Sequence, residues 1–302
     1  MRFLVAGSSG FLGTALRVRL AEQGHEVVRL VRRDPVSALE YSWNPDRGEL
    51  DRAALAGVDV AVNLAGAGVT DRPWTQARRE LILSSRVNST QTLARALAEH
   101  AEPGVPPVTL LQASGVSRYG TVSGAQPYDE NSPAGDDYLS QVVVQWEAAA
   151  QPAVDAGVRT VVLRTSPVLD RSGGALQIMR IPWSLGLGTQ LGDGRQHMPL
   201  VGLDDYLRVL EWAANHPDAS GPYNVTIPQP TTNAEFTKAL GVVLRRPTLL
   251  RAPAFVLRTA LGELAEQLLG DLYVVPTRLT AAGFVFSAPD VTSTLRAALR
   301  PA

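Results

Sequence analysis

Three glycines near the start of the chain are spaced so that the backbone around them could hold a pyrophosphate. They are Gly7, Gly10 and Gly13, and they separate a short apolar run from a helical repeat of leucines. In a strand–turn–helix unit, the first glycine permits the turn, the second lets a pyrophosphate approach, and the third lets helix and strand pack closely. The helix N-terminus adds N–H groups and the positive end of its dipole. The spacing departs from the usual G-x-G-x-x-G, and a turn that merely connects two elements is the alternative interpretation.

A pair of arginines after the second apolar run indicates which dinucleotide would bind. Arg32 and Arg33 stand where a carboxylate usually holds a free ribose 2′-hydroxyl, whereas a 2′-phosphate needs cations. A guanidinium donates paired hydrogen bonds to phosphate oxygens, and the hydroxyls of Ser8 and Ser9 could add further donors. Asp34 could instead serve a hydroxyl, but it follows both arginines. We therefore expect NADP rather than NAD, with a solvated arginine pair as the alternative.

The elements that must position these residues alternate between strands and helices through the first half of the chain. Apolar runs predict strands at 3–6, 27–31, 58–64, 108–112, 160–163 and 223–225. Helical patterns are predicted at 75–99, 140–156 and 204–215. This alternation predicts an α/β fold of the Rossmann type, with a doubly wound parallel sheet that binds ligands at the carboxyl ends of its strands.

After residue 170 the alternation breaks, and we expect a smaller, interleaved C-terminal lobe. The predicted dinucleotide-binding domain covers 1–170, with 202–228 returning to it, and the lobe that caps the substrate covers 171–201 and 229–302. The segment 120–137 is rich in Gly, Pro, Asp and Ser, and a loop of this length is expected to form a rim of the substrate site.

Composition excludes several classes of function. The 302 residues carry a net charge of −1 without a long basic stripe, which argues against a nucleic acid partner. There is no cysteine, and the four histidines lack ligand spacing, so we expect no metal site. No apolar run reaches the length of a membrane span, and the N-terminus resembles a strand rather than a signal peptide. We expect a cytoplasmic protein whose partners are a small-molecule substrate and, as one option, a second copy of the chain.

Short motifs typical of one protein family follow one another along nearly the whole chain. Besides the glycine turn, they include Asn63-Leu64-Ala65-Gly66, Asp129-Glu130-Asn131-Ser132-Pro133, Trp146-Glu147-Ala148-Ala149, Gly192-Asp193-Gly194-Arg195-Gln196 and Ala282-Gly283-Phe284. Together they resemble an extended, atypical member of the short-chain dehydrogenase/reductase superfamily. More narrowly, the chain is similar to the NAD-dependent epimerase/dehydratase-like proteins called epimerase family proteins, which carry a small C-terminal domain of unknown function.

The resemblance implies a nicotinamide cofactor, usually NADP in this subgroup. The implied contacts are Gly7, Ser8, Ser9, Gly10, Phe11, Leu12, Gly13, Arg32, Arg33, Leu64, Ala65, Gly66, Arg86, Ala113, Ser114, Thr165 and Pro167. It also implies a catalytic Ser/Tyr/Lys set, which is incomplete here. The tyrosine position falls at Tyr138, but Val142 stands four residues later, where the superfamily has lysine. Ser114 precedes the serine position, Gly115, and Asn88 matches a helix asparagine that often completes the set.

Three interpretations of function follow from this incomplete set. An unperturbed tyrosine has a pKa of about 10, so Tyr138 would rarely ionise without a nearby cation, but it could donate a proton as a general acid. The first interpretation is an NADP(H)-dependent oxidoreductase acting on a small carbonyl, alcohol or sugar-like substrate. The second is a non-catalytic NADP(H)-binding or redox-sensing module, which Val142 favours. The third is a nucleotide-sugar epimerase, which the missing lysine disfavours because epimerisation first oxidises an alcohol. For Tyr138 itself, an ordinary aromatic at a helix start is the alternative.

Overall fold

The computed structural model describes residues 1–101, 108–121, 126–184, 186–262 and 264–300. The strands are β1 (Arg2–Ala6), β2 (Glu26–Val31), β3 (Glu40–Asn44), β4 (Glu49–Leu50), β5 (Val60–Asn63), β6 (Thr109–Gly115), β7 (Thr160–Thr165), β8 (Val168–Leu169), β9 (Thr189–Leu191), β10 (Val201–Gly202), β11 (Gly221–Val225) and β12 (Leu250–Ala252). The helices are α1 (Phe11–Glu22), α2 (Gln76–His100), α3 (Tyr138–Ala148), α4 (Gln151–Asp155), α5 (Gly174–Ser184), α6 (Leu203–Asn215), α7 (Asn233–Leu244), α8 (Ala254–Leu261), α9 (Leu264–Leu269), α10 (Thr277–Ala281) and α11 (Val291–Ala298).

Eight strands form the main sheet in the order β11-β7-β6-β5-β1-β2-β3-β4. The pairs β1/β2, β1/β5, β2/β3 and β5/β6 are parallel, and β4 is antiparallel to β3. The chain runs outward from β1 to β3 and then returns to place β5 on the other side of β1. This reversal creates a topological switch point between β1 and β5, where doubly wound sheets bind their ligands. The predicted α/β Rossmann-type fold is confirmed.

The chain divides into two compact units that are interleaved along the sequence. The first consists of Met1–Ser114, Val142–Leu163 and Leu210–Pro222. The strands β1 and β5 are almost wholly buried, and α2 packs against α4. The apolar core of this unit includes Leu4, Val28, Leu30, Trp43, Ala61, Leu93, Leu97 and Leu110. Burying each large aliphatic side chain stabilises the unit by about 1.5–3 kcal/mol before entropy is counted.

The second unit consists of Gly115–Gln141, Arg164–Val209 and Tyr223–Ala302. Helix α7 packs against α11, and two small parallel pairs, β8/β10 and β9/β12, lie in this unit. Its core includes Leu176, Trp183, Leu200, Phe236, Leu240 and Leu295. The roles predicted for 1–170, 202–228, 171–201 and 229–302 stay predictions, as does the role of the loop 120–137, of which residues 122–125 lie outside the described residues.

One predicted helix is divided and one strand was not predicted, and each difference has a local cause. The helix predicted at 140–156 is divided, because α3 ends at Ala148 and α4 begins at Gln151, with Pro152 in its first turn. Proline lacks an N–H and fits the first turn of a helix rather than its interior. Strand β3 (Glu40–Asn44) was not predicted, because three of its five residues are polar. Within the described residues, no helix is long and apolar enough to cross a membrane.

Candidate functional site

The glycine turn lies at the switch point of the sheet. Gly7 follows β1 with a φ of +76°, a left-handed conformation that side chains rarely adopt. A Cβ on Gly7 would lie 2.6 Å from the backbone carbon of Leu64 and 2.7 Å from the nitrogen of Ala65. Because Leu64 follows β5, this glycine lets the ends of β1 and β5 approach each other. Glycine is therefore required at position 7 for the turn after β1, as the sequence predicted, because a side chain there would clash with the backbone of Leu64 and Ala65.

The other two glycines differ in what surrounds them. A Cβ on Gly13 would lie 2.2 Å from the carbonyl oxygen of Gly7 and 2.8 Å from the Cα of Ser8, so helix and turn are in backbone contact there. A Cβ on Gly10 would meet only the Gly7 oxygen, at an ordinary 3.5 Å. The protein itself therefore does not require glycine at position 10, which fits close approach by a ligand.

Helix α1 begins at Phe11, directly after this turn. Gly10 caps the helix without a side-chain hydrogen bond. The N–H groups of the first turn of an α-helix, here those of Phe11 and Leu12, have no partner within the helix and favour an anion. Ser8 is buried, and its carbonyl oxygen accepts a hydrogen bond from Arg17 Nη1 at 3.2 Å, whereas Ser9 is exposed. The residues of this turn fit a diphosphate.

An arginine cluster surrounds a buried carboxylate near the end of β2. Glu40, at the start of β3, is 3% exposed. Arg33 donates from Nη1 to Glu40 Oε2 at 2.8 Å and from Nη2 to Oε1 at 2.7 Å. Arg29 pairs with the same carboxylate, and the backbone N–H of Val36 donates to it at 2.8 Å. Arg32 is exposed and makes no hydrogen bond or ion pair with the described residues.

These contacts determine the charge of the cluster. The hydrogen bonds from Arg33, followed by that from Val36, lower the pKa of Glu40 to about 2, so it is ionised at neutral pH. The pKa of Arg17 is lowered by partial burial and then by the neighbouring charge of Arg29. A single carboxylate therefore faces several guanidinium groups, which leaves a positive potential suited to an anion.

The loop after β5 is held by side chains of α2. Ser85 Oγ accepts a hydrogen bond from the N–H of Ala67 at 3.0 Å, and Ser89 Oγ donates to the carbonyl oxygen of Ala65 at 3.4 Å. Arg86 Nη1 donates to the carbonyl oxygen of Ala67 at 2.8 Å, and its guanidinium lies 5.1 Å from the ring centroid of Trp146. These hydrogen bonds hold the loop of Leu64, Ala65 and Gly66 at the switch point, and Arg86 is one of the side chains that make them.

A buried polar network supports the same loop from the sheet. Asn63 Nδ2 donates to Thr90 Oγ1 and to Gln112 Oε1, both at 3.0 Å, and Asn63 Oδ1 accepts from the N–H of Ala65 at 3.2 Å. Trp146 Nε1 also donates to Thr90 Oγ1, at 3.0 Å. From the sequence, Asn63 and Trp146 were noted only as members of short motifs and Gln112 only as the end of a predicted strand, so their hydrogen bonding was not predicted. A polar side chain that ends a buried strand must find partners there, and that was the available signal.

Ser114 and Asn88 point to different partners. Ser114 is 5% exposed and donates its hydroxyl to Glu147 Oε1 at 2.6 Å. Asn88 Nδ2 donates to Asp46 Oδ1 at 3.1 Å. Ala113 precedes Ser114 in β6, and its carbonyl oxygen accepts from the side chain of Gln112 at 2.8 Å. The structure therefore gives each of the two predicted catalytic side chains a carboxylate partner of its own, and their catalytic roles stay predictions.

The remaining predicted site residues occupy strand ends and a helix start. Tyr138 is the first residue of α3 and is half-buried. Val142, in the same helix, is 2% exposed, so the position where the superfamily has lysine is filled by a buried apolar side chain. Thr165 ends β7 and is half-buried, and Pro167 is exposed two residues later.

The second unit contains its own buried polar network. The hydroxyl of Tyr119 donates to Asn224 Oδ1 at 2.7 Å, and Arg164 Nη1 donates to the Tyr119 oxygen and to the carbonyl oxygen of Glu130, both at 2.9 Å. The Glu130 carboxylate accepts from the N–H groups of Asn224 at 3.0 Å and Arg278 at 3.2 Å. Burial raises the pKa of Tyr119. This network anchors the chain on both sides of residues 122–125.

A doubly wound sheet with a glycine turn at its switch point defines the Rossmann-type class of dinucleotide-binding folds. Residues 3–226 match the NAD dependent epimerase/dehydratase family, and residues 252–298 match a domain of unknown function (DUF1731). The chain belongs to the NAD dependent epimerase/dehydratase family, and the resemblance inferred from its motifs is confirmed.

Relatives and a solved structure extend this likeness over nearly the whole chain. An epimerase family protein of Mycobacterium bovis is 44% identical over 283 residues, which are 93% of this chain and 92% of that protein. Epimerase family protein SDR39U1 of Mus musculus is 40% identical over an alignment of 304 residues, which covers 99% of this chain and 99% of that protein. The crystal structure of human epimerase family protein SDR39U1 (isoform 2) with NADPH is similar, with a TM-score of 0.88, 35% identity and 99% coverage of both chains.

Proposed function

We propose that this protein binds NADP(H) and acts as an oxidoreductase on a small carbonyl, alcohol or sugar-like substrate. The observation that carries the proposal is the geometry of the glycine turn. Side chains on Gly7 and Gly13 would clash with neighbouring backbone, whereas one on Gly10 would not, and the turn precedes the arginines at the end of β2 along the sheet. The human relative crystallised with NADPH supports the same coenzyme.

The residues of this chain would have separate tasks. The backbone of the glycine turn and the N-terminus of α1 bind the diphosphate, and Arg32 and Arg33 bind the 2′-phosphate. When bound, the nicotinamide supplies the redox chemistry, and the protein supplies orientation and a proton. Tyr138 is the candidate proton donor to a substrate carbonyl oxygen. Without a lysine four residues later, reduction is the favoured direction, because donating a proton does not require a lowered tyrosine pKa.

A comparison of NADPH with NADH tests the coenzyme. We expect NADPH to raise the melting temperature of the purified protein more than NADH does, and Arg32→Glu to erase or reverse this preference by placing a like charge beside the 2′-phosphate. Arg95→Glu, on the exposed face of α2, makes the same charge change and should leave the preference intact. An unchanged preference in Arg32→Glu would place the 2′-phosphate elsewhere.

Turnover tests the enzymatic part of the proposal. NADPH absorbance is followed against a panel of carbonyl compounds with the wild-type protein and with Tyr138→Phe, which removes only the hydroxyl. We expect the substitution to slow turnover about 10²–10⁴-fold, the usual contribution of general acid–base catalysis. If turnover survives the substitution, Tyr138 is not the proton donor.

A non-catalytic NADP(H)-binding module is the second candidate. It is favoured by Val142, whose buried apolar side chain replaces the charge that lowers the tyrosine pKa in the superfamily. This candidate predicts coenzyme binding without oxidation of NADPH by any member of the carbonyl panel. A nucleotide-sugar epimerase is least favoured, because its first step removes a proton from an alcohol.

A further inference from the structure

The contacts of Arg33 leave one edge of its guanidinium available. A guanidinium has five N–H groups arranged along two edges. Glu40 occupies one N–H of each Nη atom, and the carbonyl oxygen of Asp34 accepts from Nη1 at 2.7 Å. The Nε–H and the second Nη2–H lie together on the other edge, and no described residue accepts from them. This edge has the geometry that pairs with two phosphate oxygens, and the side chain is 53% exposed.

Glu40 also orders the backbone that carries the arginine pair. The same carboxylate that binds Arg33 accepts the N–H of Val36, and the N–H of Arg29 donates to the carbonyl oxygen of Leu39 at 2.8 Å. The connection between β2 and β3 is thus tied at both ends to adjacent strands. An arginine held by a buried partner loses less side-chain entropy on binding an anion than a freely moving one.

We propose that Glu40 is a positioning residue that sets coenzyme selectivity, by holding Arg33 with its Nε/Nη2 edge open to the 2′-phosphate of NADP(H). This inference rests on the proposed function. Because Glu40 stays ionised at neutral pH, its hold on Arg33 persists under the conditions in which coenzyme would bind. The opposing possibility is that Glu40 is only a competing anion, which would weaken phosphate binding by neutralising the arginine.

The two possibilities predict opposite effects of Glu40→Gln, which removes the charge but keeps the shape. Binding of 2′,5′-ADP and 5′-AMP is measured by calorimetry, because these probes differ only in the 2′-phosphate. We expect 2′,5′-ADP to bind about tenfold more weakly to the variant, a loss of about 1.4 kcal/mol, and 5′-AMP to bind as to the wild type. Glu49→Gln, an exposed carboxylate on β4, is the matched control and should change neither affinity.

A double-mutant cycle with Arg33→Ala then tests whether Glu40 acts through this arginine. We expect Arg33→Ala alone to weaken 2′,5′-ADP binding, and Glu40→Gln to cause no further loss in its presence. A loss that persists in that background would overturn the proposal. So would tighter or unchanged 2′,5′-ADP binding to Glu40→Gln, or an equal loss for both probes, since the last indicates a merely structural role.

A shorter carboxylate keeps the test decisive if Glu40→Gln does not fold. Glu40→Asp retains the charge but lacks one methylene, so its carboxylate should not reach both Nη atoms of Arg33, and we expect the same selective loss of 2′,5′-ADP binding. Wild-type protein that binds neither probe would refute the proposed function itself. If the wild-type protein prefers 2′,5′-ADP and Glu40→Asp keeps the same preference, only the role of Glu40 is refuted.

Discussion

A methyl group on Gly13 should separate the packing role of the glycine turn from its binding role. In Gly13→Ala the new Cβ would lie 2.2 Å from the Gly7 oxygen, whereas favourable contacts need about 3.5 Å, so the start of α1 must move by more than about 1 Å. Both clashing groups are backbone, and neither can rotate away. Overpacking of this kind costs about 1–3 kcal/mol. With an unfolding entropy of about 2.1 cal/mol/K per residue, each kcal/mol lowers the melting temperature of a 302-residue chain by about 1.5 °C.

The assay compares Gly13→Ala with Gly10→Ala by urea unfolding, followed by circular dichroism, and by NADPH calorimetry. Gly10→Ala meets only an ordinary 3.5 Å contact, so it should unfold within about 1 kcal/mol of the wild type. It should nonetheless lose NADPH affinity, because its methyl group would occupy the space that the diphosphate needs. Gly13→Ala should lose both stability and affinity. Wild-type stability of Gly13→Ala, or wild-type affinity of Gly10→Ala, would refute the steric reasoning.

Two further predictions concern buried polar groups. Because folding lowers the pKa of Glu40 to about 2, its ionised form stabilises the protein above its ordinary pKa of 4.5, and this contribution is lost as the pH falls towards 2. The urea midpoint of the wild type should therefore exceed that of Glu40→Gln by the largest amount at pH 7, and this difference should shrink between pH 4.5 and 3. A difference that does not change with pH would contradict this. Tyr119→Phe leaves the buried oxygen of Asn224 without its 2.7 Å donor and should cost about 1–3 kcal/mol in the free energy of unfolding. Equal stability of wild type and Tyr119→Phe would show that water replaces the hydroxyl.

Local patterns determined much of the fold. The strands β1, β2, β5, β6 and β7 begin and end within three residues of the predicted runs. Strands such as β1 and β5 are buried on both faces and must therefore be continuously apolar. The order of strand, glycine turn and helix likewise predicted the nucleotide-binding segment, since turn, close approach and helix terminus are properties of adjacent residues. The position of α2 was predicted from its helical period.

What the sequence by itself determined is the apolar framework, the glycine turn and the arginine pair, because each depends on neighbours along the chain. Only the tertiary structure decided the partners of the polar side chains. Glu40 lies in a strand too polar to predict, and its hold on Arg33 arises because β3 pairs with β2. Ser114 and Glu147 are 33 residues apart and meet because α3 lies near the end of β6. Buried polar groups must find partners wherever the fold brings them, and that placement is not encoded in local spacing.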